Sequence, residues 1–177
     1  MSISPTERFQ LAPAPDGLHR VQNLLNTRAI EPYGLADLLA DGEISSTTLG
    51  RQLTDSDARR LRSLRSTLED VIGGRPVEPT ETPSTLTVDE TGGVRLEPSG
   101  SGWQGVASEI WAEVLVAQRT DTWRRLKRCR NEQCGSAFYD RSRNNSGVWH
   151  DVKTCGNRAN LRASRERRKS ESSTAPA

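Results

Sequence analysis

No apolar run in the chain is longer than Val114–Ala117, whereas a bilayer-spanning helix needs about 20 such residues, so the sequence contains no membrane-spanning segment. Residues 1–17 mix polar side chains with three prolines and lack the apolar centre of a secretion signal. That stretch is expected to be a disordered tail, and the protein is expected to be soluble and cytoplasmic. Cysteine is scarce: there are three, an odd number, which argues against a disulfide framework. Only two histidines occur, His19 and His150, and no Ser/His/Asp set can be assembled around them. No glycine-rich phosphate loop is present, and no acid pair has a spacing that suggests catalysis. Enzyme activity is therefore not expected.

What is present is concentrated between Cys129 and Lys169. Four residues separate Cys129 from Cys134, fifteen separate Cys134 from His150, and four separate His150 from Cys155. Two close ligand pairs joined by a loop are what a tetrahedral structural zinc ion requires, and three thiolates with one imidazole meet its preference for sulfur and nitrogen. Ala137-Phe138-Tyr139 and Val148-Trp149 are short β-prone runs around the turn-rich Asp140–Gly147, which predicts a hairpin between the ligand pairs. Arg158 to Lys169 contains neither proline nor glycine and is predicted to be a helix that starts at the final ligand. A knuckle, a hairpin and a ligand-bearing helix start form the order of a treble-clef zinc finger. Such a module is too small to fold without its ion, whose binding is worth about 10–16 kcal/mol in isolated fingers, so this region is expected to fail first in apo protein.

Cys129 and Cys134, Trp149-His150 and the string Cys155-Gly156-Asn157-Arg158 together resemble the CGNR zinc finger of bacterial regulators that also carry an ABATE domain. Histidine stands at 150 where the family pattern usually has a fourth cysteine. The resemblance implies a C-terminal finger and, ahead of it, a regulatory domain with a sensing role. Asn26-Thr27-Arg28, after an apolar helix, resembles the opening of that domain. The implied division is a tail over 1–17, an ABATE-like domain over 18–125, the finger over 126–169 and a disordered tail over 170–177.

The region ahead of the finger reads as mainly helical. Leu18–Thr27 and Tyr33–Ala40 have the spacing of short helices, with Leu35, Leu38 and Leu39 forming the apolar face of the second. A longer helix is predicted over Asp55–Ile72, with Thr54 and Asp57 at capping-box spacing. Its arginines at 59, 60, 62 and 65 stand among acidic residues and read as a solvated face. Thr85–Val88 and Val94–Glu97 alternate around Asp89–Gly93 as a hairpin, and Trp103 to about Lys127 returns to helical spacing, so hairpin and helices are expected to share a core. The expected fold class is α+β: a mainly helical N-terminal domain with a small β-hairpin, followed by a treble-clef-like zinc finger.

Charge is segregated along the chain. Residues 119–169 hold fifteen Lys or Arg against five Asp or Glu, whereas residues 1–118 hold ten against seventeen. Such a basic segment suits a polyanion, because each phosphate it neutralises releases condensed counterions. Arg158, Arg162, Arg165 and Lys169 recur along one side of the predicted helix, which suits docking in a major groove. Asn157 and Arg158 would then approach base edges, with Arg141 and Arg143 on the hairpin turn gripping phosphates. Asn157 has an alternative as a helix cap, and Arg158 as a brace bonding carbonyls near the metal.

The expected function is a DNA-binding transcription regulator with one structural zinc ion. Rival readings are an RNA-binding finger, for which only Phe138, Tyr139 and Trp149 offer stacking surfaces, and a module that docks on an acidic surface of RNA polymerase or another transcription protein. A single finger makes few DNA contacts, so a homodimer through the N-terminal domain is also expected.

Overall fold

The computed structural model describes residues 4–30, 33–42, 49 and 53–173, with side chains as far as 169. Three helices form the body: α1 (Leu18–Leu25), α2 (Asp55–Ile72) and α3 (Gly102–Arg119). Between α2 and α3 lies an antiparallel hairpin of β1 (Ser84–Val88) and β2 (Val94–Pro98), registered with Leu86 opposite Leu96. A second, shorter antiparallel pair follows, β3 (Leu126–Arg128) and β4 (Ala137–Tyr139), and α4 (Asn157–Ser173) ends the described chain. Among the described residues no helix is long and apolar enough to cross a membrane.

The body forms because three apolar stripes meet. Val21, Leu24 and Leu25 of α1, Leu61 and Leu68 of α2, and Ile110 and Val114 of α3 lie in one buried cluster, each burial worth about 1.5–3 kcal/mol. The capping box of α2 forms as its spacing predicts. Asp57 N–H donates to Thr54 Oγ1 (3.2 Å), and Thr54 N–H donates back to the Asp57 carboxylate (2.8 Å). Asp57 also accepts from Trp103 N–H at 3.0 Å, which ties the start of α3 to that of α2.

The finger's hairpin belongs to the same core. Leu126 and Ala137 are buried in the body cluster, not in a separate one. Two side chains hold β4 there: Gln22 of α1 and Asn26 just after it bond the Ala137 backbone, and Val21 lies in the same buried cluster as Ala137. The expected boundary between domain and finger is thus crossed by a continuous packed layer.

Several expectations are corrected. Part of the expected N-terminal tail is ordered: Thr6 and Ala14 are buried, Thr6 Oγ1 donates to Asn23 (2.6 Å), and Ala14 N–H donates to Gln22 (2.6 Å). Polar side chains on α1 satisfy this segment's backbone, and its prolines lower the entropy lost on ordering. Tyr33–Ala40 is a turn-rich loop instead of a helix, with Gly34 at φ +63, an Ile30–Leu35 bridge and Leu38 N–H donating to Thr27. α3 stops at Arg119, where Asp121 turns left-handed (φ +59) and Thr122 N–H caps the Ala117 carbonyl at 2.9 Å.

Two further differences concern side chains. Arg65 is not on a solvated face: it is buried against Thr27 and makes paired bonds of 3.0 and 2.6 Å to Asp37. The β1–β2 hairpin joins the core only at its base, where Ser108 Oγ donates to Pro83 (2.6 Å) and accepts from Ser99 N–H (3.0 Å), leaving Leu86, Val88 and Val94 exposed.

Candidate metal centre and basic helix

The first ligand pair sits on the knuckle between β3 and β4. Cys129 N–H donates to Ser136 (2.8 Å), and the N–H groups of Cys134 and Gly135 both donate to the Asn131 carbonyl (2.8 and 2.9 Å). Gly135 has φ +57, and a Cβ there would lie 2.8 Å from an Arg28 guanidinium nitrogen. The left-handed backbone is what favours glycine here. The hairpin therefore encloses the first ligand pair. The predicted pairing of Ala137–Tyr139 with Val148-Trp149 does not form: β4 pairs with β3 instead, and Val148 offers one carbonyl to Arg130 N–H at 2.9 Å.

The second pair lies at the launch of α4. Val152–Gly156 makes one wide, π-type turn whose start is capped by Asp151, which accepts from Lys153 N–H (2.7 Å) and Thr154 N–H (3.3 Å). Cys155 projects inward from this turn and is fully buried. Gly156 packs beneath Trp149, whose ring would stand 3.2 Å from any added Cβ. That contact is the local physical reason for a small residue after the last ligand.

Cys129, Cys134, His150 and Cys155 each offer one ligand atom, and these atoms lie within 4.8 Å of one another. A tetrahedral zinc with Zn–S near 2.3 Å sets neighbouring ligand atoms about 3.8 Å apart, so the cluster fits one structural zinc ion. His150 presents Nδ1, 3.3 Å from the Cys134 sulfur. Nδ1 is the ring nitrogen nearer the backbone, and it suits a position that a shorter ligand could also fill. All three cysteines are free and buried, so no disulfide competes.

Polar neighbours stabilise two of the sulfurs, those of Cys134 and Cys155, as thiolates. Ser136 Oγ lies 3.2 Å from Cys134, Asn131 Nδ2 donates to Cys155 (3.4 Å), and the Tyr33 hydroxyl lies 3.6 Å from Cys155. A hydrogen bond from the Cys129 thiol, with those of His150 and Ser136, holds Cys134 down. Donating that bond pushes Cys129 up. Burial and the bond to Cys155 push the Tyr33 hydroxyl up to about 12, so it stays a proton donor toward sulfur. Tyr33, Asn131 and Ser136 are functional neighbours that sequence reasoning missed. Asn131, enclosed by two ligands, could have been found from its place in the knuckle; Tyr33 enters only through the fold.

The expected nucleic-acid residues separate into two groups. Arg158, Arg162 and Arg165 line one shallow groove with Gln133 and Leu161. Lys169 continues their spacing along α4, which packs chiefly against the turn that launches it. Asn157 is exposed at the start of α4; the expected capping role falls to Asp151, before the turn. The Arg158 guanidinium lies 5.4 Å from the Tyr33 ring centre, a brace by stacking where carbonyl bonding was one expectation. Arg143 is exposed on the loop after β4. Arg141 is exposed and also fastens the N-terminal segment to the finger: it donates to the Pro13 carbonyl (2.8 Å) and covers Tyr139 at 5.5 Å.

The arrangement defines a zinc finger built on a knuckle-bearing hairpin and a helix start. Residues 125–168 match the family model described as the CGNR zinc finger. No curated protein matches the chain.

Proposed function

We propose that this protein is a DNA-binding transcription regulator whose zinc-set helix α4 docks on duplex DNA, with the region ahead of the finger acting as an ABATE-type regulatory domain. The observation that carries the reading is the stripe Arg158, Arg162, Arg165 and Lys169 on a helix that the body leaves largely uncovered. A 17-residue helix with basic side chains and few apolar contacts gains little from its own packing, and a phosphate surface suits the groove that Arg158, Arg162 and Arg165 line. Zinc would act structurally, holding Cys155 and so the direction in which α4 leaves the finger.

The aromatic side chains of the finger support duplex over single-stranded RNA. Phe138 is buried, Tyr139 lies under Arg141 and Trp149 covers Gly156, so each serves the finger's own packing. A second reading has an observation of its own: Val152 and Leu161 are exposed beside the basic stripe, a mixture that also suits an acidic, partly apolar protein surface such as one on the transcription machinery. The test is binding of labelled duplex across a salt series with the double variant Arg162→Ala/Arg165→Ala. The slope of log affinity against log salt should flatten by about 2 with zinc content unchanged, since each phosphate contact contributes about 0.9. An unaltered slope places the DNA surface elsewhere.

A further inference from the structure

A cavity of about 580 Å³ opens where the N-terminal segment meets the finger, a size suited to a small molecule. Arg8 and Arg158 approach it from opposite parts of the chain, Tyr33 adds a hydroxyl, and Phe9, Leu11 and Leu35 give it an apolar wall. His150 and Thr154 close the side nearest the metal centre.

The two guanidiniums are held in place. Arg8 Nη2 donates to the Ala36 carbonyl at 2.6 Å, while its Nη1 is buried without a hydrogen-bond partner. Arg8 lies 5.9 Å from the Phe9 ring and Arg158 lies 5.4 Å from the Tyr33 ring. Among the described residues neither forms an ion pair. Of the nearby carboxylates, Asp37 is paired with Arg65 and acts on Arg8 at longer range, and Asp151, on the cavity wall, accepts two backbone N–H groups at the start of its turn. Two guanidiniums on one cavity with an apolar wall are an arrangement that an anion completes.

We propose that this cavity binds a small organic acid, a carboxylate or phosphate monoester carried on an aromatic or aliphatic body, as the effector of the regulator. The effector role rests on the DNA-binding reading; the binding itself does not. Arg8 and Arg158 bring two positive charges to the acid group. The apolar wall selects a ligand with a body over a free inorganic anion. Because Arg8 belongs to the N-terminal segment and Arg158 to the first turn of α4, the ligand would bridge them and bias the direction of the helix.

The test is calorimetric titration of the full zinc-loaded chain, without DNA, using benzoate, phenyl phosphate and inorganic phosphate as probes. At least one of the two organic acids should bind saturably and more tightly than inorganic phosphate. Arg8→Gln should weaken that binding about tenfold or more, the loss expected for one charge-assisted contact. Leu35→Trp, which fills the apolar wall, should also weaken it. Zinc content and circular dichroism of both variants verify that they fold. No saturable binding of either organic acid up to about 10 mM, a preference for inorganic phosphate, or binding insensitive to both substitutions would overturn the proposal. Binding of the acids by a chain that shows no affinity for duplex would keep the ligand class and remove the effector role.

Discussion

The Asn26 side chain pairs with the backbone of Ala137 as a neighbouring strand would. Its carboxamide oxygen accepts from Ala137 N–H at 2.8 Å and its nitrogen donates to the Ala137 carbonyl at 3.0 Å, with Asn26 itself fully buried. The next two residues extend the join. Thr27 accepts from Arg65 (2.8 Å), and Arg28 shares Glu69 with Arg128 of β3, at 3.3 and 3.1 Å. Asn26 and Arg28 are therefore the bolt between the body and the finger, and Thr27 between them is tied to α2.

Asn26→Ala should cost about 2–3 kcal/mol, because it leaves the buried Ala137 N–H without a partner. Urea unfolding followed by circular dichroism checks this. The same variant should release zinc at lower urea than the wild type, since β4 carries one flank of the knuckle. A change confined to the body, with zinc release unaffected, would show that the join does not reach the metal.

At position 150, His150→Ala should lose zinc to a mild chelator, whereas His150→Cys should retain it, because a thiolate satisfies the same tetrahedral position. Zinc stoichiometry after chelator challenge separates the two. Hydrogen exchange of the stripped wild type should show α4 and the 140–156 loop unprotected while α1–α3 stay protected. The shared core through Leu126 and Ala137 makes the β3–β4 hairpin the boundary of that loss.

Asp140 gives the loop after β4 a dependence on acid. Burial alone would raise its carboxyl. Bonds from Lys127 (2.7 Å), Ser142 and Gly147 N–H (2.7 Å) outweigh that and hold it well below its usual 3.8. A carboxyl depressed in the folded state stabilises fully above its unfolded value, near pH 4, and that stability is lost as pH falls through the folded value. Asp140→Asn should thus cost about 2–3 kcal/mol at neutral pH, and the gap to wild type should narrow below about pH 4. Denaturation midpoints across that range test both statements; a gap independent of pH would mean packing, not charge, sets the cost.

The metal ligands were legible in the sequence because their chemistry is specific and each pair is local. The same holds for α2, where Thr54 and Asp57 meet within one turn, and for β1–β2, joined by a short glycine-containing turn. Strand pairing in the finger was not legible. Leu126-Lys127-Arg128 has no strand composition, and it pairs because the knuckle returns Cys129 to Ser136. The loop over 33–40 has helical apolar spacing, yet its backbone bonds go to Ile30 and Thr27, partners set by tertiary contact. The polar N-terminal segment was misread for the same reason: the groups that order it, Asn23 and Gln22, are on α1. The bond from Arg141 to Pro13 was not legible because nothing in the sequence brings the two together.

The most direct test of a zinc-set helix that docks on DNA is titration of a labelled duplex with zinc-loaded and zinc-stripped protein at two salt concentrations. The account predicts binding that requires zinc, falls steeply with salt and is weakened by Arg162→Ala/Arg165→Ala. Equal binding with and without zinc, or no binding of the loaded protein at low salt, would contradict it.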